Sequence, residues 1–367
     1  MKGDYSKRGI VGKDNYKELD SNYYEPGLNG CDIIKSAEKL LENSCGEIEG
    51  FLKVQSANKW IEEARSCAIP KMLFGEFWLE GELCILFADT NLGKSILAVQ
   101  ITDSITRCEK ISGFKLEASQ QPCIYFDFEQ SAKQFQARYS IDFTQDYRFS
   151  DTFYRAEINP DLTLSEQFKS VEEYLYDSIE RAILKTGAKV LAIDNITYLK
   201  NETEKAKEAL PLMKDLKALK KKYGLSILAL AHTPKRDPSK PITRNDLQGS
   251  KMLINFCDSA FAIGESSKDE GIRYLKQIKQ RNTALIYGPD NICICQITKP
   301  HNFLQFEFIG YDAEVVHLKQ QTDDEKEGLL VQIIERNRRG QSLREIGADL
   351  GISHMKVSRI LERSKRL

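Results

Sequence analysis

The chain has 367 residues, a formal net charge of −1, 41% hydrophobic and 29% charged residues, which is ordinary for a globular protein and long enough for two or three folding units. No run of about 18 apolar residues could cross a bilayer, and near-neutrality excludes a generic polyanion binder, so any nucleic-acid surface has to be local. The polar start Met1-Lys-Gly-Asp-Tyr-Ser-Lys-Arg8 lacks the apolar core of a secretion signal, and the nine cysteines form no Cys-x-x-Cys pair. A cytoplasmic protein with reduced thiols and no membrane partner is expected.

Residues 1–68 read as a polar leading arm with one amphipathic helix at Ala57–Ser66. From Gly75 onward apolar strands alternate with longer helical periods, the pattern of a doubly wound α/β domain. Strands are predicted at Glu82–Phe87, Pro122–Phe128, Lys189–Asp194, Ser226–Ala231 and Ser259–Ile263, with helices at Lys94–Arg107, Ser131–Tyr139, Val171–Lys185 and Glu204–Tyr223. The texture then changes: Ile272–Lys279, Ala284–Tyr287, Asn291–Thr298 and Phe303–Phe308 look like hairpin strands that close the sheet. A polar Gln320-Gln-Thr-Asp-Asp-Glu-Lys326 stretch precedes a last helical unit.

The first strand runs into Ala88-Asp-Thr-Asn-Leu-Gly-Lys-Ser-Ile96, a phosphate-binding loop between strand and helix, and residues 88–96 (Ala88, Asp89, Thr90, Asn91, Leu92, Gly93, Lys94, Ser95, Ile96) are the expected nucleotide contacts. Backbone N–H groups and the positive helix end attract phosphate, Lys94 reaches the β- and γ-phosphates, and the Ser95 hydroxyl ligates Mg²⁺. The usual loop begins with Gly where this one has Ala88; Ala is costly there if left-handed angles are needed, which Asn91 tolerates better. Asp194 ends an apolar strand in a carboxylate, where a second Mg²⁺ ligand belongs. Asp127 and Glu129 both stand at the end of the neighbouring strand, and either could orient and deprotonate an attacking water.

Together these segments resemble the RecA-like ATPases of the replicative helicase group, which includes DnaB-type and plasmid RepA helicases. The resemblance covers roughly Ile69–Phe308 and implies a RecA-like doubly wound α/β sheet with helices on both faces, occupying residues 69–318. The Glu129-Gln-Ser-Ala-Lys-Gln-Phe-Gln-Ala-Arg138 run matches the segment after the catalytic glutamate of DnaB-type proteins, which selects Glu129 as the base. His232 falls where the group senses the γ-phosphate, and Asp246-Leu-Gln-Gly-Ser250 and Asp258 also fit. Lys235, Arg236, Lys240 and Arg244 fall where the related enzymes place a DNA-contacting loop in a central channel, and the resemblance makes them the expected DNA contacts. Lys279-Gln-Arg281-Asn282 resembles the segment that projects a lysine and an arginine finger into the neighbouring subunit's ATP site. The expectation is a homo-oligomer, a hexamer, using ATP and Mg²⁺ on single-stranded DNA.

Residues 325–367 read as a small all-α helix-turn-helix domain: Ser342 and Glu345 have capping-box spacing, Gly351 ends one helix and Ser353 caps the next. Ile346, Leu350, Ile352, Val357, Ile360 and Leu361 form its core, leaving His354, Met355, Lys356, Ser358, Arg359 and Arg363 for a major groove. Ten Lys and Arg against six Asp and Glu make this unit locally basic, a duplex-DNA footprint. The functional expectation is a helicase serving replication or mobilisation of a plasmid or mobile element; the alternative is an ATP-controlled DNA-binding regulator that does not unwind.

Overall fold

The computed structural model describes residues 53–159, 168, 170–196, 209–234, 236–247, 251–320 and 323–364. The chain divides into two compact units, Met1–Ile69 and Pro70–Leu367. In the first, α1 (Ala57–Arg65) begins at Ser56, whose side chain accepts from the Lys59 amide, and no residue of the helix is buried.

The second unit is built on a nine-stranded sheet, counted among the described residues. Its order is β13 (Gln305–Asp312), β12 (Ile292–Thr298), β11 (Ile272–Lys279), β10 (Ser259–Glu265), β3 (Leu83–Ala88), β9 (Ser226–His232), β8 (Val190–Asp194), β4 (Cys123–Asp127) and β7 (Phe153–Ala156). The strands from β10 to β7 run parallel, and β11, β12 and β13 extend the sheet antiparallel. Strands β3, β4 and β8 are buried at every position, as parallel strands covered on both faces must be. Each of Leu83, Ile85, Leu86 and Phe87, all fully buried, contributes about 1.5–3 kcal/mol by leaving water.

Helices cover both faces. Helix α2 (Lys94–Arg107) packs Leu97, Ile101 and Ile105 with Leu86, Tyr125 and Phe306 on one side. On the other, Ile179 and Ile183 of α4 (Val171–Thr186) and Met213 and Leu216 of α5 (Ala209–Tyr223) pack with Ile85, Phe126 and Ile193. Gln100 binds α2 to β13, donating to the Phe306 carbonyl at 2.9 Å and accepting from its amide at 2.8 Å. The fold class read from the sequence is the one observed, mixed α/β with helices on both faces. Helix α2 has its predicted bounds; α5 is described from Ala209, and residues 204–208 lie outside the described residues.

Two elements differ from the reading. Ala284–Tyr287 is not a strand: the amides of Ile286 and Tyr287 donate to Gln277 Oε1 at 2.7 and 2.8 Å, so a side chain takes the place of a partner strand. Strand β7, an unpredicted edge, is only four residues long and contains Arg155. Helix α3 (Ala132–Arg138), with its Ser131/Gln134 capping box, lies within the predicted Ser131–Tyr139, whereas the short elements β1 (Met72–Phe74), β2 (Trp78–Leu79), β5 (Ser140–Ile141), β6 (Gln145–Asp146) and α6 (Lys251–Phe256) are not foreseen by the sequence pattern.

At the end of the chain α7 (Asp323–Arg338), α8 (Leu343–Asp349) and α9 (His354–Ser364) pack around Ile333, Ile346 and Val357, with Leu350, Ile352, Ile360 and Leu361 against them. The Ser342/Glu345 capping box is formed, and the Lys356 amide donates to Ser353 Oγ at 3.2 Å. Gly347 lies where α8 meets the following turn: a Cβ there would sit 2.7 Å from the Ile352 carbonyl oxygen and 3.1 Å from the His354 amide nitrogen. Because both neighbours are backbone, Gly347→Ala should destabilise this unit by about 1–3 kcal/mol. Chemical denaturation of the full chain, followed by exchange protection of α8 and α9 amides, checks it; unchanged protection would show that the turn yields freely.

Candidate nucleotide site

The site is assembled at the carboxyl ends of the central parallel strands. The register sets Ala88 beside His232 and Asp127 beside Asp194. Ala88 remains an extended residue of β3, and the left-handed angles fall on Asn91 (φ 63°) and Gly93 (φ 94°). Gly93 is needed twice over, since a Cβ would also lie 2.9 Å from Ile297 Cδ1 and from the Phe306 ring. The departure from Gly at position 88 therefore imposes no left-handed strain.

Lys94 is the first residue of α2 and is buried. Its ammonium donates to the carbonyl oxygens of Ala88 (3.0 Å) and Asp89 (2.9 Å) and lies 3.2 Å from His232 Nδ1. Burial lowers its pKa, against the pull of Asp194, Glu129 and Asp89. An ammonium can only donate, so His232 Nδ1 accepts and its Nε2–H points to Glu129 Oε1, 3.3 Å away. Asn195 Nδ2 donates to the same carboxylate oxygen. The hydrogen bond from His232 lowers the Glu129 pKa, with Lys94 and Asn195 adding to it. Lys94, His232, Glu129 and Asn195 thus form one continuous chain beside the loop.

Asp127 does different work. Arg155 Nε donates to its Oδ2 at 3.0 Å, and the Gln130 amide donates to Oδ1 at 2.9 Å. Fully buried and paired, it holds the turn that presents Glu129. Sequence reasoning found neither Arg155 nor Asn195, since nothing in local spacing marks a residue that acts on a different strand.

Asp194 is buried, and its pKa is pushed up to about 6, chiefly by burial and further by the charges of Glu129 and Asp127, while Ser95 and Tyr125 oppose the shift. Tyr125 donates to Oδ2 at 2.7 Å, whereas Oδ1 has no formed hydrogen bond among the described residues. An orphaned carboxylate oxygen near the Ser95 hydroxyl suits a hard divalent cation. Mg²⁺ takes one or two protein oxygens and completes its shell with phosphate and water. No cluster of three acidic, His or Cys residues able to hold a metal alone occurs among the described residues.

Lys279 and Arg281 do not join this group. Lys279 Nζ donates to the Cys257 carbonyl at 2.8 Å, just past the end of α6 in the chain. Arg281 pairs with Asp258 Oδ1 at 3.2 Å and donates to the Asn255 carbonyl at 3.0 Å. Asp258 Oδ2 in turn accepts from the amide of Leu83, the first residue of β3, at 2.9 Å. The phosphate loop leaves the other end of that strand, five residues and about 17 Å away.

A family model for an AAA domain matches residues 54–238. The chain belongs to the AAA domain family. Its P-loop nucleotide site is therefore that of an AAA-type ATPase domain, and the matched span carries Lys94, Ser95, Glu129, Asp194 and His232 but neither Arg281 nor the last three helices. No curated protein matches the sequence. Among solved structures, a KaiC-like protein from the hyperthermophilic archaeon Pyrococcus horikoshii is similar at 14% identity, covering 62% of this chain and 90% of that one, with a TM-score of 0.43.

The loop residues expected on DNA are placed unevenly. Arg244 is exposed, Arg236 is largely covered beside Asp246 (3.8 Å), and Lys235 and Gln248–Ser250 lie outside the described residues. On α9, His354, Met355 and Arg359 are exposed and Lys356 and Ser358 partly so, while the Arg363 side chain lies outside the described residues. No helix among the described residues is long and apolar enough to cross a membrane.

Two outcomes are expected of this AAA domain. Ala88→Gly should change nucleotide turnover less than about twofold, because Ala88 occupies no left-handed angle; a steady-state ATPase assay showing a tenfold gain would place strain at Ala88 after all. Asp194 has a folded pKa of about 6 against an ordinary 3.8, so the metal-free fold loses stability as pH rises through about 6. Asp194→Asn should then raise unfolding free energy by about 1–3 kcal/mol at pH 7.5 and not at all below pH about 4. Urea titrations without Mg²⁺ check this, and an equal gain at both pH values would contradict it.

Proposed function

We propose that the chain is a DNA-associated, ring-forming ATPase, a RepA/DnaB-like helicase that serves replication or mobilisation of a plasmid or mobile element. The observation that carries this reading is the split of the site: Glu129, Lys94 and His232 converge on the phosphate loop, while Lys279 and Arg281 sit a strand's length away on the opposite edge. In a hexameric ring those two cations serve the next subunit, so hydrolysis depends on contact between copies.

In this scheme ATP lies on residues 88–96. Ser95 and Asp194 would hold Mg²⁺, which would supply charge neutralisation at the phosphates. Lys94 exchanges its two carbonyl partners for phosphate oxygens. That exchange removes a donor from His232 Nδ1, which ties the imidazole and its Glu129 partner to the presence of nucleotide. Glu129, ionised and half-exposed, accepts a proton from the attacking water. The partner copy's Arg281 neutralises charge on the phosphoryl group being transferred.

DNA enters the reading through two surfaces. Arg244, with Lys235 and Arg236, belongs to the loop after β9 and meets a single strand in the ring channel. The three C-terminal helices are read as a helix-turn-helix that docks His354, Lys356, Ser358, Arg359 and Arg363 on duplex DNA. The presence of that basic unit also favours a second reading, an ATP-controlled DNA-binding regulator that does not unwind.

A strand-displacement assay with ATP and Mg²⁺, run with wild type, Glu129→Gln and Arg281→Ala, separates the two. For the motor, wild type unwinds, and each variant retains nucleotide binding but loses turnover by about 100-fold or more. Mixing the two variants should restore part of the activity, because some interfaces then combine an intact Glu129 with an intact Arg281. Tight duplex binding without displacement selects the regulator, and normal turnover in Arg281→Ala removes the shared site.

A further inference from the structure

Tyr125, in the middle of β4, carries the only hydroxyl found in β3, β4 and β8, and it is fully buried. A phenylalanine would fill the same place without taking a hydroxyl out of water, a cost that only hydrogen bonds offset. The register explains where this hydroxyl goes. Tyr125 lies opposite Ala192 of β8, and Asp127 opposite Asp194. Tyr125 and Ala192 pack on the α2 side of the sheet, whereas Ile124 and Phe126 pack on the other, so by alternation Asp194 shares the face of Ala192. A residue two places along the facing strand is within reach of a long aromatic side chain, and Ala192 is small enough to leave that diagonal free.

The hydroxyl has two partners. A carboxylate only accepts, so Tyr125 donates its proton to Asp194 Oδ2, at 2.7 Å. Its oxygen in turn accepts from Gln130 Nε2 at 3.2 Å. The Gln130 backbone is held independently: the amide donates to Asp127 Oδ1 at 2.9 Å, and the carbonyl accepts from Arg155 Nη2 at 2.7 Å. Gln130 Oε1 is buried with no partner among the described residues, so among those residues Tyr125 alone orients the side-chain amide.

The two oxygens of Asp194 therefore differ. Oδ2 is engaged by Tyr125, while Oδ1 has no hydrogen bond among the described residues. A carboxylate free to turn about its last bond would exchange them. With Oδ2 tied to a side chain anchored in mid-strand, Oδ1 is the oxygen left for a cation. Mg²⁺ tolerates little departure from octahedral geometry, and groups that orient a metal's ligands from behind are worth about 10–100-fold in metal affinity.

We propose that Tyr125 is a positioning residue for the metal side of the site: it fixes the Asp194 carboxylate so that Oδ1 is presented to Mg²⁺, and Gln130, by donating to the hydroxyl oxygen, keeps the hydroxyl proton directed at Asp194. This rests on the reading of Ser95 and Asp194 as the Mg²⁺ ligands and adds to it two side chains that act through Asp194. Because Gln130 directly follows Glu129, the same hydroxyl also joins the metal carboxylate to the turn that carries the base.

Calorimetric titration of the full-length chain with a non-hydrolysable ATP analogue, once with Mg²⁺ and once with EDTA, is the test, since the ratio of the two affinities reports the metal and not the pocket as a whole. Tyr125→Phe should leave the affinity in EDTA unchanged and lower the affinity in Mg²⁺ by about tenfold. Gln130→Met, which keeps the hydroxyl and removes only its orienting donor, should lower it severalfold in the same direction. Asp194→Asn, measured beside them, should remove most of the gain that Mg²⁺ brings. Thermal midpoints in EDTA reveal a folding defect; if Tyr125→Phe does not fold, the decision falls to Gln130→Met, whose unaltered ratio then overturns the proposal. An unaltered ratio in Tyr125→Phe, or an affinity lowered equally with and without metal, overturns the proposal and leaves the Asp194 assignment standing, provided Asp194→Asn loses the gain. A Mg²⁺ gain that survives in Asp194→Asn removes the assignment and the proposal together.

Discussion

The register of four buried parallel strands is the constraint on which the rest depends. Strands β3, β9, β8 and β4 end at one edge, with Ala88 beside His232 and Asp194 beside Asp127. A slip of one residue in any of them would turn its terminal side chain to the other face of the sheet. The strands hold register because both faces are packed, by α2 on one and by α4 and α5 on the other. Apolar burial therefore does the positioning, and the polar groups are carried to the edge by backbone geometry.

What arrives at that edge is poorly matched to its surroundings without ligand. A buried lysine has its pKa lowered by desolvation, and a buried aspartate has its pKa raised to about 6 with one oxygen unbonded. Both shifts have the same origin, loss of water around a charge. A magnesium–nucleotide complex brings anionic oxygens to the lysine and a cation to the aspartate, so the binding free energy includes relief of strain that folding has already introduced. Such groups cluster where function needs them.

Much of this was legible in the sequence because it is local. The phosphate loop, α2 and the strand-end Asp194 follow from residues adjacent in the chain, and the apolar runs announce β3, β4, β8 and β9. The choice between Asp127 and Glu129 could not be made from residues alone, since both stand on one side of β4. Arg155 separates the two in space: it pairs with Asp127 at 3.0 Å from another strand, while Glu129 lies beside His232 and Asn195. Long-range partners of that sort have no spacing rule. Ala284–Tyr287 fails as a strand for the same reason, because the Gln277 side chain supplies the bonds that a ladder would. Ala88 looked like a defect because the loop pattern names a residue type and not an angle. The angle was carried by Asn91 and Gly93.

The proposed role of Arg281 follows from where a cation can do useful work. In its own chain it pairs with Asp258, which already has Lys220 at 2.8 Å and the Leu83 amide at 2.9 Å. Those partners outweigh burial and keep the Asp258 pKa low. Arg281 is therefore not needed to balance that charge, and as an exposed pair it adds little to stability, about 1 kcal/mol at most. A side chain so placed can leave its partner cheaply, while a guanidinium entering a closed, water-poor phosphate site gains far more than it gives up. The asymmetry would, under the proposed reading, make movement toward a second copy's nucleotide favourable only when that nucleotide is present. Under the proposed reading, contact between copies is thereby made conditional on ATP, and the ring's assembly and its chemistry rest on the same interaction.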